Sequence, residues 1–372
     1  MNCAFTLITT DGDARRGRLI TSRAVIETPA FMPVGTQATV KTLRPEQVAD
    51  LGYRLILANT YHLHLQPGEE IVERLGGVQR MMGWPGALLT DSGGYQVFSL
   101  SALREVDDDG VTFSTPLGPR RLTPEGVMAI QRALGSDIAM VLDDVPPMNA
   151  PPSVQRAALE RTHRWALRCL AAPRRPDQAR FAIVQGGAVI EWRRESASFL
   201  AGYPFDGFGI GGLSLGEEKS LTWALTAAAC AALPAERPRY LMGVGAPDDL
   251  VRGVAAGVDL FDCVLPTRIA RHGAVFTRFG QLSLKSGRLA AAGGPIDEQC
   301  DCLACREYSR GWLRHLLLVG DPLGMRLATL HNLRFLSMLM AEIRRAIEEQ
   351  RFAAFAASYP YGSIRRGDLP AA

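Results

Sequence analysis

The chain has 372 residues, 47% hydrophobic and 21% charged, with a formal charge of +3. Such a composition suits a large buried core and excludes a disordered chain, and the charge is too small to mark a nucleic-acid binder by itself. The N-terminus Met1-Asn2-Cys3-Ala4-Phe5 has no basic-then-apolar leader, no stretch is long and apolar enough to span a bilayer, and the seven cysteines form no disulfide framework, so a reducing cytoplasm fits best.

Taken in order, short apolar runs alternate with helical stretches. The runs are Phe31–Thr36, Leu55–Thr60, Ala87–Asp91, Ile138–Asp143, Phe181–Gly186, Gly207–Gly212, Tyr240–Gly245 and Leu260–Asp262. Near-continuous apolar runs without alternation are what strands buried on both faces look like. Thr123, Pro124 and Glu125 open a helix over 125–134 as cap, first-turn proline and first-turn acid, and Gly135 closes it. Eight strands alternating with helices predict an α/β (β/α)8 barrel over residues 1–285. Residues 97–122 read as an insertion whose hairpin, 105–114, turns at Asp109-Gly110; 273–285 read as a second hairpin around Phe279-Gly280. Gly287–Gly294 reads as a mobile loop, and 286–372 as a metal-binding subdomain with closing helices packed on the barrel.

Asp91, Asp143, Gln185 and Asp262 fall at the C-terminal ends of their runs. A barrel gathers those ends around one mouth, where its active sites lie. A lone acid ending a strand needs no function, since it can cap the next loop; four polar residues on one mouth suggest a shared site. Asp262 lies among apolar residues with Arg268, Arg271 and His272 just beyond it. The glycines of Asp91-Ser92-Gly93-Gly94-Tyr95-Gln96 let a flat ligand approach the backbone, with Tyr95 available to stack on it, although tight turns alone would also use them. Asp143 and Gln185 offer the acceptors and donors that a purine-like edge requires. Two carboxylates, Asp91 and Asp262, suit displacement at an anomeric carbon, with a nucleobase as leaving group. Cys300, Cys302 and Cys305 lie within six residues, and with His331 or His315 they would make a closed tetrahedral zinc site of the structural kind.

The sequence resembles the bacterial tRNA-guanine transglycosylase (queuine tRNA-ribosyltransferase) family over nearly its whole length. The resemblance rests on Pro29–Thr36, Asn59–Leu63, Asp91–Gln96, Gln185-Gly186-Gly187, Gly211-Gly212-Leu213, Tyr240–Gly245, Phe261–Arg268 and the cysteine cluster with His331-Asn332. It implies exchange of guanine for a 7-deazaguanine at the wobble position of tRNAs with GUN anticodons. It implies Asp262 as nucleophile on ribose C1′ and Asp91 as general acid/base. Ser92, Gly93, Gly94, Tyr95, Asp143, Gln185 and Gly212 would bind the base, with Leu213 and Glu217 framing the 7-substituent. Gly243, Val244, Gly245, Ala246, Pro247, Asp248 and Asp249 would touch tRNA, as would Thr267, Arg268, Ile269, Ala270 and Arg271. It also implies a homodimer, one structural zinc per subunit, and His331 rather than His315 as fourth ligand.

Two positions depart from the usual bacterial pattern. Val145 stands where Cys is usual, as in the queuine-using eukaryotic enzymes, yet Leu215 is bulky where those enzymes have Gly. Overpacking costs about 1–3 kcal/mol, so 7-aminomethyl-7-deazaguanine is the expected incoming base, with queuine as the alternative. A non-catalytic tRNA-binding partner subunit is the competing reading, against which both carboxylates stand; an ordinary barrel glycosidase would not carry the cysteine cluster.

Overall fold

The computed structural model describes residues 3–100, 104–115 and 118–359. Its centre is an eight-stranded parallel sheet. The strands are Ala30–Pro33, Leu55–Ala58, Ala87–Thr90, Ile138–Met140, Ala179–Val184, Gly207–Ile210, Arg239–Leu241 and Leu260–Cys263, the eight expected from the apolar runs with ends shifted by a few residues. The eighth pairs with the first from Leu260↔Ala30 to Cys263↔Pro33. A parallel bridge between Val34 and Leu57, and a Gly35 N–H donated to Leu57 O at 2.6 Å, join the first and second strands and close the barrel. Most strand side chains are fully buried, between the barrel interior and outer helices such as Pro152–Ala171, Ile190–Ala201 and Lys219–Ala231.

Acids sit at both ends of the strands, and the two ends differ. Asp137, Asp206 and Asp259 immediately precede the fourth, sixth and eighth strands, each accepting a backbone N–H from the start of a neighbouring strand. The donors are Leu88 at 2.8 Å, Arg180 at 2.9 Å and Arg239 at 2.8 Å. These acids pin strand starts together. Asp259 also pairs with buried Arg15 at 3.1 Å. Arg15 belongs to an antiparallel meander, Ala4–Asp11, Ala14–Ile20 and Val25–Thr28, which was not expected from the sequence. Its signal was the alternating exposure of the first strand, blurred by a bulge between Leu7 and Thr9.

Pro124–Leu134 is helical, capped by Thr123 Oγ1 accepting Gly126 N–H at 3.0 Å and ended by Gly135 in the left-handed region. The first insertion is a three-stranded sheet, Arg104–Asp107, Gly110–Thr115 and Gly118–Leu122, rather than a lone hairpin. Its first turn is stabilised by Asp107, whose carboxylate accepts from Asp109 and Gly110 N–H. The second insertion is the expected hairpin, Ala274–Thr277 with Gly280–Ser283. Gly287–Leu289 forms a 3-10 turn inside the expected loop.

The helix Pro322–Glu348 ties the C-terminal part to the barrel. Leu333 O accepts from Tyr53, Ser337 donates to Leu51 O and Arg344 to Pro29 O. Among the described residues no helix is long and apolar enough to cross a membrane.

Candidate active site and metal centre

Asp262 is the penultimate residue of the eighth strand and is 9% exposed. Both of its protein hydrogen bonds fall on one oxygen. Tyr240 donates its hydroxyl to Oδ1 at 2.6 Å and Gly243 its N–H at 2.8 Å, so Oδ2 takes no donor from the described protein. Burial raises the carboxyl pKa, and these two donors oppose the rise. Burial and the adjacent carboxylate in turn keep the Tyr240 phenol protonated.

Asp91 follows the third strand and differs in having both oxygens engaged. Thr60 N–H donates to Oδ1 at 2.9 Å and the Asn59 side-chain amide to Oδ2. Burial pushes its pKa up to about 6; Asn59 and Thr60 pull it back, and the Asp262 charge adds to the rise. Asn59 and Thr60 stood in the sequence as part of a motif without a role, and Tyr240 likewise. Asn59 and Thr60 follow the second strand on the same mouth as Asp91, which is the positional signal that marked the acids.

Asp143 lies beyond the fourth strand. Gln185 donates its amide to Oδ2 at 2.7 Å and Ser92 its hydroxyl to Oδ1 at 3.3 Å. Ser92 Oγ also accepts Gly94 N–H at 3.2 Å, which links the Asp91 loop to Asp143. The sequence requires glycine at two points here. A Cβ on Gly94 would stand 2.9 Å from Asp143 O, and one on Gly212, at φ +65°, would stand 2.5 Å from Gln185 Oε1. Burial raises the Asp143 pKa to about 6, with Gln185 opposing it and Asp144 reinforcing it. Four of the expected residues, Ser92, Gly94, Asp143 and Gln185, thus form one hydrogen-bonded edge, with Gly212 packed against Gln185. Val145, Gln185, Gly186, Gly187 and Gly212 share one small cavity.

The remaining expected residues surround this edge. Gly93, at φ +81°, packs against Tyr61. The Tyr95 ring is 45% exposed, with the Phe98 ring centroid 6.1 Å away. Leu213 is buried, while Glu217 accepts from Ser214 N–H, Leu215 N–H and, at 2.7 Å, the Thr222 hydroxyl. In the segment 243–249, Gly243 donates to Asp262, while Val244, Gly245 and Pro247 are buried and Ala246 half-buried. Asp248 and Asp249 pair with Lys219 at 3.5 and 2.7 Å. The helix Leu265–Arg271 follows Asp262 directly, and on it Thr267 and Ala270 are buried, Ile269 and Arg271 half-buried and Arg268 exposed. Arg271 donates to Thr267 O at 2.9 Å.

Cys300, Cys302, Cys305 and His331 are all buried, and their ligand atoms lie within 4.8 Å of one another. His331 Nδ1 stands 3.7 Å from Cys302 Sγ and 3.2 Å from Cys305 Sγ. Its Nε2 meets Phe276 O at 2.7 Å. A carbonyl can only accept, so Nε2 carries the proton and Nδ1 keeps its lone pair for a metal. Three thiols and one imidazole with this orientation fit a tetrahedral zinc. His315 is exposed on another helix, outside the cluster.

Residues 10–361 match the family model described as queuine tRNA-ribosyltransferase. The queuine tRNA-ribosyltransferase of Moorella thermoacetica is 52% identical, over 95% of this chain and 96% of the relative. That of Herpetosiphon aurantiacus is 51% identical, over 95% and 91%, and that of Symbiobacterium thermophilum 53%, over 92% and 86%. On these matches, with a closed eight-stranded barrel beneath them, the chain belongs to the queuine tRNA-ribosyltransferase family.

Proposed function

We propose that the protein exchanges guanine at the wobble position of tRNAs with GUN anticodons for 7-aminomethyl-7-deazaguanine, in queuosine biosynthesis. Membership of the family makes the chain an enzyme of the transglycosylase class. One observation carries the chemistry: of the buried carboxyls Asp91, Asp143 and Asp262 at the barrel mouth, Asp262 alone keeps an oxygen clear of donors from the described residues.

In this reading Asp262 Oδ2 attacks ribose C1′ as the C1′–N9 bond breaks. The electron pair leaves with guanine, which takes a proton from Asp91. The incoming base returns a proton to Asp91, attacks C1′ and releases Asp262. Asp143 and Gln185 read the base edge, and Arg268 and Arg271 face the anticodon loop. Exposed bases of single-stranded loops are what such side chains can read.

Zinc, one per chain, would be held by Cys300, Cys302, Cys305 and His331. All four positions are taken by protein, so it would supply structure and no open coordination site. Residues 286–372, of which 360–372 lie outside the described residues, act as a subdomain around it. Five exposed apolar side chains, Leu303, Trp312, Leu318, Val319 and Leu323, support a homodimer through this region. The compartment proposed is a reducing cytoplasm, where three clustered thiols keep a metal rather than form disulfides. The test is exchange of labelled guanine into an unmodified GUN tRNA, with 7-aminomethyl-7-deazaguanine and queuine in competition. Incorporation of neither would sink the reading, and a clear preference for queuine would overturn the choice of base.

A further inference from the structure

Arg193 is a cation that none of this chemistry uses. It sits on the helix Ile190–Ala201, behind the base edge, and is 0% exposed. Its hydrogen bonds all go to main-chain carbonyls. Nε donates to Gly187 O at 3.0 Å; Nη1 donates to Gly211 O at 2.6 Å and Val184 O at 3.3 Å; Nη2 donates to Gly212 O at 3.3 Å. Burial lowers its pKa to about 9, so it stays charged at neutral pH. A fully buried guanidinium without a carboxylate on it is costly to keep. Holding a loop shut would not require one, because neutral donors can satisfy carbonyls.

The consequence lies on the opposite side of the same peptides. In a trans peptide the C=O and the following N–H point in opposite directions. Arg193 draws the Gly211 and Gly212 carbonyls to itself, so the N–H groups of Gly212 and Leu213 face away from it. Neither amide donates to any acceptor in the described protein. Gly212 also abuts Gln185, the residue bonded to Asp143. Two unused donors therefore stand beside an acceptor edge, with a positive charge behind them that strengthens both.

We propose that Arg193 is a positioning residue that aims the Gly212 and Leu213 amides at the carbonyl edge of the bound base. The proposal rests on the reading of this mouth as a guanine pocket. It assigns the donor half of base recognition to main chain held by one buried cation, and the acceptor half to Asp143.

The test compares binding of free guanine and 6-thioguanine to the full-length protein. The thio base keeps the ring N–H and amino donors but replaces the carbonyl oxygen by a weaker acceptor. Wild type is expected to prefer guanine. Arg193→Met should lose guanine affinity roughly tenfold or more, as expected for misaligned donors to a buried carbonyl, with little loss for 6-thioguanine, so that the preference collapses. Arg193→Lys keeps the charge but cannot bridge the carbonyls, and should fall between the two; it decides the matter if the Met variant does not fold. Affinity for tRNA, measured in parallel, should hold. An equal loss for both bases, or a preference kept in both variants, would overturn the role of Arg193 alone. A wild type that binds neither base would overturn the guanine pocket itself, and this proposal with it.

Discussion

The Tyr240 hydroxyl meets Asp262 Oδ1 at 2.6 Å, while Oδ2 of the same carboxylate takes no donor from the described residues. One oxygen is anchored and the other is presented, which is how a nucleophile keeps a fixed line of attack. Asp262→Asn should reduce exchange by at least about a thousandfold, because an amide does not form the ribosyl ester. A denaturation-stable enzyme–tRNA adduct should appear with wild type and be missing from the variant; its persistence would refute the assignment. Tyr240→Phe removes one of the two donors and should slow exchange roughly ten- to hundredfold with tRNA affinity unchanged.

The second prediction concerns pH. Asp143 must be ionised to accept from the base, and its pKa is raised to about 6. Above that pH the acceptor is present; below it the carboxyl is protonated and the acceptor is lost. Guanine affinity should therefore be flat above pH 6 and fall about tenfold per unit below it. In Asp143→Asn the affinity should be weaker and flat throughout. A variant that retained the acid-side slope would show that another group is responsible.

Metal removal supplies the third. Chelation or Cys302→Ala should lower the melting temperature by roughly 5 °C or more, since metal-binding free energy at such a site is folding free energy. Metal analysis should return one zinc per chain. Unchanged melting in a metal-free sample would remove zinc from the fold.

Arg268 carries the fourth. It is exposed on the helix that follows Asp262, whereas Arg271 is partly engaged with Thr267 O. Arg268→Ala should weaken tRNA affinity roughly tenfold and reduce its salt dependence, with free-guanine affinity unchanged. Equal losses for tRNA and guanine would count against an RNA contact.

The barrel was legible because strands buried on both faces leave apolar runs, and because polar residues interrupt those runs at their C-terminal ends. Asp91, Asp143, Gln185 and Asp262 were found in that way. Asp137, Asp206 and Asp259 carry the same chemistry at the opposite ends, and only the pairing partner separates a strand pin from a candidate reacting group. The meander was missed because an edge sheet with one wet face gives a weak alternating pattern, which the bulge at Leu7 blurs further. Arg193 was missed for another reason. An arginine on an amphipathic helix ordinarily reads as a solvated charge, and nothing local shows that four carbonyls from separate turns converge on it.

Phe276 is gripped at both of its backbone groups by neighbouring residues of one helix. Asn332 Oδ1 accepts its N–H at 2.9 Å and His331 Nε2 meets its carbonyl at 2.7 Å. Asn332 also donates to Pro266 O, at the start of the helix that carries Arg268. His331, the hairpin and that arginine helix are thus indexed to the rotation of a single rod. Inserting or deleting one residue between Pro322 and His331 would turn everything beyond it by about 100°. Loss of the cysteine–histidine cluster, the hairpin and the Arg268 helix would then come as one event, although no residue of the three had been substituted.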